Sequence, residues 1–187
     1  MGSFDLDLPA ETVTRLGEYY SLLTRWNDRL HLVAPCSPEE FAVRHILESL
    51  MLLKHLPQNA TIADIGSGGG LPIIPCLIVR PDLQATLIES SQKKSVFLHE
   101  ATRQFQATII ARPFEQIDAP PVDFITCRAL DQFMQKLPAL IDWAPEHSKL
   151  LLFGGETLRE ELRKANMNFE KFIIPQSEKR FLFLATD

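Results

Sequence analysis

The sequence lacks most of the features that would assign its 187 residues to a membrane-bound, secreted or fibrous class of protein. No apolar run reaches the roughly 18 residues that a membrane-spanning helix requires. The opening MGSFDLDLPAE is acidic and does not show the basic and then apolar order of a secretory signal. Internal repeats and low-complexity segments are also absent. We therefore expect a cytoplasmic, globular and monomeric protein without a membrane partner.

Cysteine pairs and an excess of positive charge are missing as well. The three cysteines, Cys36, Cys76 and Cys127, form no C-x-x-C pair, so the sequence predicts neither a disulfide framework nor a zinc site, and we expect no metal. The formal net charge of −5 argues mildly against a nucleic-acid partner, because binding to phosphates normally needs a basic surface. A local basic patch on an acidic protein can still bind RNA.

The N-terminal part of the chain has the periodicity of helices. Between residues 8 and 32, apolar side chains recur at intervals of three and four, which places them on one face of a helix. A second helix is predicted to begin at Ser37, a residue type that caps helices, with Pro38 in its first turn, and to end at Pro57. We therefore assign residues 1–58 to an N-terminal helical extension.

From Thr61 onward, short apolar runs alternate with helix-like segments. The predicted strands are Thr61–Ile65, Ala85–Ile88, Thr108–Ile110, Val122–Thr126, Lys149–Phe153, Phe169–Ile174 and Arg180–Ala185. The predicted helices are Leu71–Val79, Gln92–Phe105, the short Glu115–Ile117, Leu130–Ile141 and Glu156–Ala165. This alternation predicts a mostly parallel sheet covered on both faces. The last two strands are joined only by PQSEK, which is too short for a crossover helix and predicts an antiparallel hairpin.

The strongest local signal is a glycine-rich loop after the first of these strands. The chain runs from the strand into Gly66-Ser67-Gly68-Gly69-Gly70-Leu71 and then into a helix. Glycine allows the backbone to adopt positive φ and to approach a ligand closely, and the N-terminus of the following helix offers free N–H groups. The pattern therefore predicts a loop that binds a nucleotide-like ligand.

Neighbouring residues indicate which ligand. A dinucleotide fingerprint needs Gly or Ala where Leu71 stands, and a phosphate-binding P-loop needs Gly-Lys at its end. Asp64, just before the loop, would repel a pyrophosphate but suits the cationic sulfonium of S-adenosylmethionine. Glu89, which ends the second strand, can accept hydrogen bonds from both ribose hydroxyls. We therefore predict an α/β fold over residues 59–187, the Rossmann-like, seven-stranded domain of class I S-adenosylmethionine-dependent methyltransferases.

Several segments together resemble one family of such enzymes. They are Trp26-Asn27, Arg44-His45-Ile46-Leu47-Glu48-Ser49-Leu50, Ala63 to Pro72, Glu89-Ser90 with Lys93-Lys94 and Phe97-Leu98, and Arg128-Ala129. Over residues 16–185, the sequence is similar to the glucose-inhibited division protein B family. That family methylates N7 of a guanine in the 16S ribosomal RNA of the small ribosomal subunit.

The resemblance implies roles for individual residues. Gly66 and Leu71 would line the methionine and ribose part of the cofactor site, and backbone atoms of Pro113 and Phe114 would contact adenine. Arg128 would lie beside the cofactor and the incoming guanine, as a candidate for substrate positioning. The cofactor-binding set is then Asp64, Gly66, Ser67, Gly68, Gly70, Leu71, Glu89, Pro113, Phe114 and Arg128.

The sequence also departs from the family pattern. Ile73-Ile74-Pro75 stands where the family has Gly-Ile-Pro, and His31-Leu32-Val33 replaces an Asn-Leu-Thr. The fifth strand ends in Phe153-Gly154 instead of Lys-Gly, which bears on affinity for RNA and on the identity of the target.

The expected chemistry needs no general base. Guanine N7 carries an available lone pair, so it can attack the methyl group directly once the reacting atoms are aligned. Methylation of an exocyclic amine is served by an Asn/Asp-Pro-Pro-aromatic motif, but the equivalent position here reads Thr126-Cys127-Arg128-Ala129. Cytosine C5 methylation requires a cysteine nucleophile, for which Cys127 is the candidate.

RNA would be bound by local positive charge. The candidates are Arg44, His45, Lys93, Lys94, Arg112 and Arg180, with Arg25, Arg29 and Lys179 as further basic positions. Two other functions remain open. The same fold can methylate a small molecule or a protein, and a domain of this kind can bind the cofactor or a ribosomal partner without catalysis.

Overall fold

A computed structural model of the chain describes residues 6–128 and 133–186, and it contains one seven-stranded sheet. The strands are β1 Thr61–Ile65, β2 Gln84–Ile88, β3 Ala107–Ile110, β4 Phe124–Arg128, β5 Lys149–Gly154, β6 Asn168–Ile173 and β7 Phe181–Thr186. Their order across the sheet is β3-β2-β1-β4-β5-β7-β6. Strands β1 to β5 pair in parallel, and β7 runs antiparallel to both β5 and β6. The predicted Rossmann-like sheet with its C-terminal hairpin is confirmed.

Helices cover both faces of the sheet. They are α1 Ala10–Leu30, α2 Pro38–Phe41, α3 Glu48–Leu50, α4 Ile73–Val79, α5 Gln92–Ala101, α6 Phe133–Trp143 and α7 Glu156–Lys164. One core cluster packs α1, α4 and α5 against one face, and a second packs α6 and α7 against the other. Within the described residues, no helix is both long and apolar enough to cross a membrane.

Some boundaries differ from the prediction for identifiable reasons. Strand β4 begins two residues later than predicted. Val122 is buried like a strand residue, but it precedes the first residue that pairs with a neighbouring strand. The carboxylate of Asp123 accepts hydrogen bonds from Thr61 N and Oγ1. The segment predicted as the short helix Glu115–Ile117 forms a 3₁₀ turn over Phe114–Gln116. The predicted start of the next helix, Leu130, and the Ala129 of the family pattern lie outside the described residues.

The N-terminal extension contains one regular helix and one interrupted helix. The cap at Ser37 is confirmed, since its Oγ accepts the N–H of Glu40 at 3.1 Å. The predicted second helix is present, but its interior is irregular and it ends at Lys54, before Pro57. After α2 the chain forms a π-helical turn over Ala42–Leu47, then α3, and it ends in a 3₁₀ turn over Met51–Lys54. Insertions of π geometry into helices are frequent at functional sites, and this one carries Arg44 and His45.

The extension packs directly on the glycine-rich loop. Tyr19 Oη donates a hydrogen bond to the carbonyl oxygen of Gly69 at 2.6 Å, and Leu23 belongs to the same core cluster as Ile73. The extension and the sheet therefore share one hydrophobic core. The domain boundary between residues 58 and 59 stays a prediction.

Candidate functional site

The glycine-rich loop lies at the carboxyl end of β1, where the strand order changes direction. Because β2 and β4 flank β1 on opposite sides, the crevice beyond their ends is the usual ligand position in open α/β sheets. Gly66, Gly68 and Gly70 have φ values of 69°, 52° and 79°, which favour glycine. The Gly66 N–H donates to the Ile88 carbonyl at 2.8 Å, which ties the loop to the end of β2.

A cavity of 510 Å³ opens beside this loop, within the size range of sites for small ligands. Its lining combines the N-terminal extension, the loop, the end of β2, the start of α5 and the end of β4. The lining residues are Leu32, Val33, Ala34, His45, Gly66, Ser67, Gly68, Gly69, Leu71, Glu89, Ser90, Ser91, Lys94 and Arg128. The cavity therefore brings together these predicted residues: His45, Gly66, Ser67, Gly68, Leu71, Glu89, Lys94 and Arg128.

Glu89 is held rigidly at the cavity wall. Its Oε2 accepts the N–H of Gly68 at 2.8 Å, and its Oε1 accepts the N–H of Ser91 at 2.8 Å. An ionised carboxylate offers about four lone-pair sites, so acceptor capacity remains on both oxygens. This arrangement suits a ligand with two neighbouring hydroxyls, as predicted for ribose.

Asp64 lies beneath the loop and does not line the cavity. It is fully buried, its Oδ1 accepts the hydroxyl of Thr126 at 2.7 Å, and its backbone carbonyl accepts the hydroxyl of Ser67 at 2.9 Å. Burial raises the pKa of Asp64 to about 7, although the hydrogen bonds from Thr126 and Ser67 oppose that rise. Among the described residues, none donates a hydrogen bond to Oδ2, which leaves a buried acceptor for a ligand donor.

Arg128, at the end of β4, links the sheet to the extension. Its Nη2 donates to the carbonyl oxygen of Arg44 at 2.5 Å and lies 3.3 Å from His45 Nδ1 and 3.5 Å from Glu48 Oε2. The guanidinium carbon lies 5.7 Å from the centre of the Phe153 ring, a cation–π distance. Phe153, where the family pattern has lysine, therefore contacts the guanidinium of Arg128 with its ring.

Glu48 is the residue that sequence reasoning missed. Its side chain is only 2% exposed and lies between two cations, with Arg180 Nη1 at 2.6 Å from Oε1 and Arg128 on the other oxygen. Its sequence signal is its place in the segment from Arg44 to Leu50, which carries part of the family resemblance. Arg44, four residues earlier, instead pairs with Glu40 at 2.7 Å on the surface.

The remaining predicted residues lie outside the cavity. Gly70 lies against the side chain of Ile74. Phe114 is buried with its ring edge-on to Trp143, and neither Pro113 nor Phe114 is among the described residues that line the cavity, so their contact with adenine stays a prediction. Arg112 lines a separate cleft, and Lys93 is exposed at the start of α5.

Cys127 has no access to the cavity. It is fully buried in the core cluster on the α6 and α7 face of the sheet. A nucleophile must reach the base that it attacks, so this position gives no support to the cysteine mechanism of C5 methylation.

Comparison with known proteins matches one family along most of the chain. The profile of the GidB family, described as rRNA small subunit methyltransferase G, matches residues 12–182. Proteins named Ribosomal RNA small subunit methyltransferase G from Gluconobacter oxydans and Methylobacillus flagellatus are 39% and 36% identical over 165 and 161 residues. These matches cover 85% and 84% of this chain and 83% and 78% of the relatives.

A solved structure supports the fold alone. The SAM dependent methyltransferase from Aquifex aeolicus superposes with a TM-score of 0.64 at 13% identity. The match covers 89% of this chain and 98% of that one.

Proposed function

This chain belongs to the GidB family, rRNA small subunit methyltransferase G, and we propose that it methylates N7 of a guanine in 16S ribosomal RNA. As a member of this family it is an enzyme of ribosomal RNA methylation, and its cofactor is S-adenosylmethionine. The observation that carries the finer proposal is the composition of the cavity. Glu89 and the glycine-rich loop suit the cofactor, and His45 and Arg128, which contact each other and line the same cavity, are the candidates for contact with the base.

The residues present fit the cofactor. The acceptor capacity left on Glu89 suits the ribose hydroxyls, and the buried carboxylate of Asp64 beneath the loop favours a cationic ligand electrostatically. Positive φ at Gly66 and Gly68 lets the loop backbone follow the ligand without side-chain interference. When bound, the cofactor supplies an electrophilic methyl group.

The cavity is suited to positioning and offers no effective general base. Burial, with the nearby charges of Arg128 and Arg44, lowers the pKa of His45 to about 4, so its imidazole is a weak proton acceptor at neutral pH. Glu89 already accepts two backbone N–H groups. Guanine N7 attacks through its own lone pair, so the chain needs only to align the base and to exclude water.

The substrate is a polyanion, and three basic side chains lie at the cavity or beside it. Arg128 and Lys94 line the cavity, and Arg44 lies beside it on the π-helical turn. Arg44 and Arg128 pair with Glu40 and Glu48, and together with Lys94 they are the candidates for binding phosphates on a chain of net charge −5. The small ribosomal subunit as partner, the cytoplasmic location and the monomeric state are predictions of the same proposal.

The test is methyl transfer from labelled S-adenosylmethionine to unmodified small ribosomal subunits, followed by nuclease digestion and nucleoside mass analysis. We expect 7-methylguanosine, and we expect much less product from Arg128→Gln. Arg159→Gln is the matched control, because it also deletes one arginine but lies on α7, which contributes no described residue to the cavity.

Parallel reactions with free nucleosides, naked RNA and total protein separate the alternatives. Label in protein or in a small molecule, with none in RNA, would refute the proposal. Label in RNA at another atom of guanine would refute the N7 assignment alone.

A further inference from the structure

The contact between His45 and Arg128 determines which ring nitrogen of His45 carries the proton. Arg128 Nη2 lies 3.3 Å from His45 Nδ1, and a guanidinium can only donate hydrogen bonds. Nδ1 must therefore accept, so the imidazole is neutral and its proton is on Nε2. The same contact would be lost if the ring were protonated at both nitrogens.

The surroundings of the ring maintain this state. Burial favours the neutral imidazole, and the cations Arg128, Arg44 and Arg180 outweigh the single opposing carboxylate of Glu40 among the groups that act on it. Phe41 packs on the ring with centroids 5.1 Å apart, which restricts its rotation. His45 therefore presents a fixed, neutral donor.

That donor has no partner in the described part of the chain. No hydrogen bond involves Nε2 among residues 6–128 and 133–186, although the imidazole lines the cavity beside Arg128. Nε2 is also not among the described buried polar atoms that lack a partner, so it is open to solvent or to a ligand. A positioned and unused donor in the cavity points to an acceptor on a ligand, and we take that ligand to be the substrate base.

We propose that the Nε2–H of His45 donates a hydrogen bond to O6 of the target guanine, which makes His45 a specificity-determining residue. This inference rests on the proposed function. O6 is the acceptor adjacent to N7 on the same edge of guanine, and N7 itself must keep its lone pair free for the methyl group. Adenine presents an amino group at the equivalent position, and two donors facing each other would oppose its entry.

The experiment removes the donor and the acceptor separately and together. The substrates are small subunits reconstituted with RNA that carries either guanine or 2-aminopurine at the methylated position. 2-Aminopurine keeps N7 but has hydrogen in place of O6. The variants are His45→Asn, whose amide oxygen can replace Nδ1 as acceptor for Arg128 but does not reach the position of Nε2, and His45→Gln, whose amide can place a donor near that position.

For the wild type we expect kcat/KM to be about tenfold lower with 2-aminopurine, the effect of one unmade hydrogen bond. For His45→Asn we expect the kcat/KM values of the two substrates to differ by less than about twofold. For His45→Gln we expect most of the wild-type difference in kcat/KM to return. If His45 had a purely structural role, its substitution would lower kcat/KM equally for both substrates. Affinity for S-adenosylmethionine, measured by calorimetry, should be unchanged in both variants.

Two results would overturn the inference. One is an equal kcat/KM of the wild-type enzyme for guanine and 2-aminopurine. This result does not depend on the folding of any variant. The other is a His45→Asn enzyme that retains the full wild-type difference. If the wild type produces no 7-methylguanosine at all, the proposed function fails instead, so the two failures are distinguishable.

Discussion

Replacing Gly70 by alanine should destabilise the protein through one identifiable collision. Gly70 has φ of 79°, and a Cβ added there would lie 2.6 Å from Cγ1 of Ile74 and nearer still to its Cδ1. Ile74 is fully buried in the core between the extension and the sheet, so it has little room to move. Left-handed backbone costs a non-glycine residue about 1–2 kcal/mol. Overpacking adds about 1–3 kcal/mol.

We therefore expect Gly70→Ala to lower the free energy of unfolding by about 2–5 kcal/mol, measured by urea denaturation. Gly17→Ala is the matched control. Gly17 lies within α1 and an added Cβ would meet no atom within 4 Å, so this change should stabilise the protein by about 0.5–1 kcal/mol.

A double mutant tests the mechanism. Ile74→Val shortens the side chain at the point of collision and alone costs about 0.5–1.5 kcal/mol. If the collision with Ile74 causes the loss, Gly70→Ala combined with Ile74→Val should be more stable than the sum of the two single effects by about 1 kcal/mol. Strict additivity, or a Gly70→Ala protein as stable as wild type, would refute the reasoning.

Three further predictions concern the cavity. Because the pKa of Asp64 is raised to about 7 in the free protein and a cationic ligand favours the carboxylate, affinity for S-adenosylmethionine should fall as the pH drops below 7, by up to about tenfold per pH unit. Asp64→Asn should remove this dependence, and equal calorimetric affinities of the wild type at pH 6 and pH 8 would contradict it. Glu89→Gln loses one of two acceptors for the N–H groups of Gly68 and Ser91, so cofactor affinity should fall by roughly ten- to a hundredfold; unchanged affinity would show that Glu89 does not contact the ligand. An NMR titration should give His45 a pKa of about 4, and Arg128→Gln should raise it toward 6.5 because a nearby cation is removed; the same titration curve in both proteins would exclude that cause.

The pH dependence of stability has a definite sign at His45. Its folded-state pKa is lowered, so between about 4 and 6.5 the unfolded chain binds more protons than the folded one. As the pH falls through that range, His45 therefore lowers the free energy of unfolding. Above the range it makes no pH-dependent contribution.

Local pattern was sufficient for the elements that define the fold. The strand Thr61–Ile65 was predicted with its observed bounds, and so was the cap at Ser37, because each depends on residues adjacent in the chain. The start of β4 differs from the prediction because Val122 is buried without being paired, and hydrophobicity alone does not distinguish burial from pairing. The π-helical turn was missed for a similar reason, since α and π geometry share nearly the same pattern of apolar residues.

By itself, the sequence determined the α/β order of elements, the glycine-rich loop and the acidic residue at the end of β2, since these follow from hydrophobic period and backbone freedom. The tertiary structure alone decided that the extension forms a wall of the cavity and that Glu48 is buried between Arg128 and Arg180. It also decided that Asp64 lies under the loop with a raised pKa. Contacts such as Arg128 with the Arg44 carbonyl join residues 84 positions apart, and no local pattern specifies a pairing over that distance. They arise only when the sheet and the extension bury their apolar faces against each other.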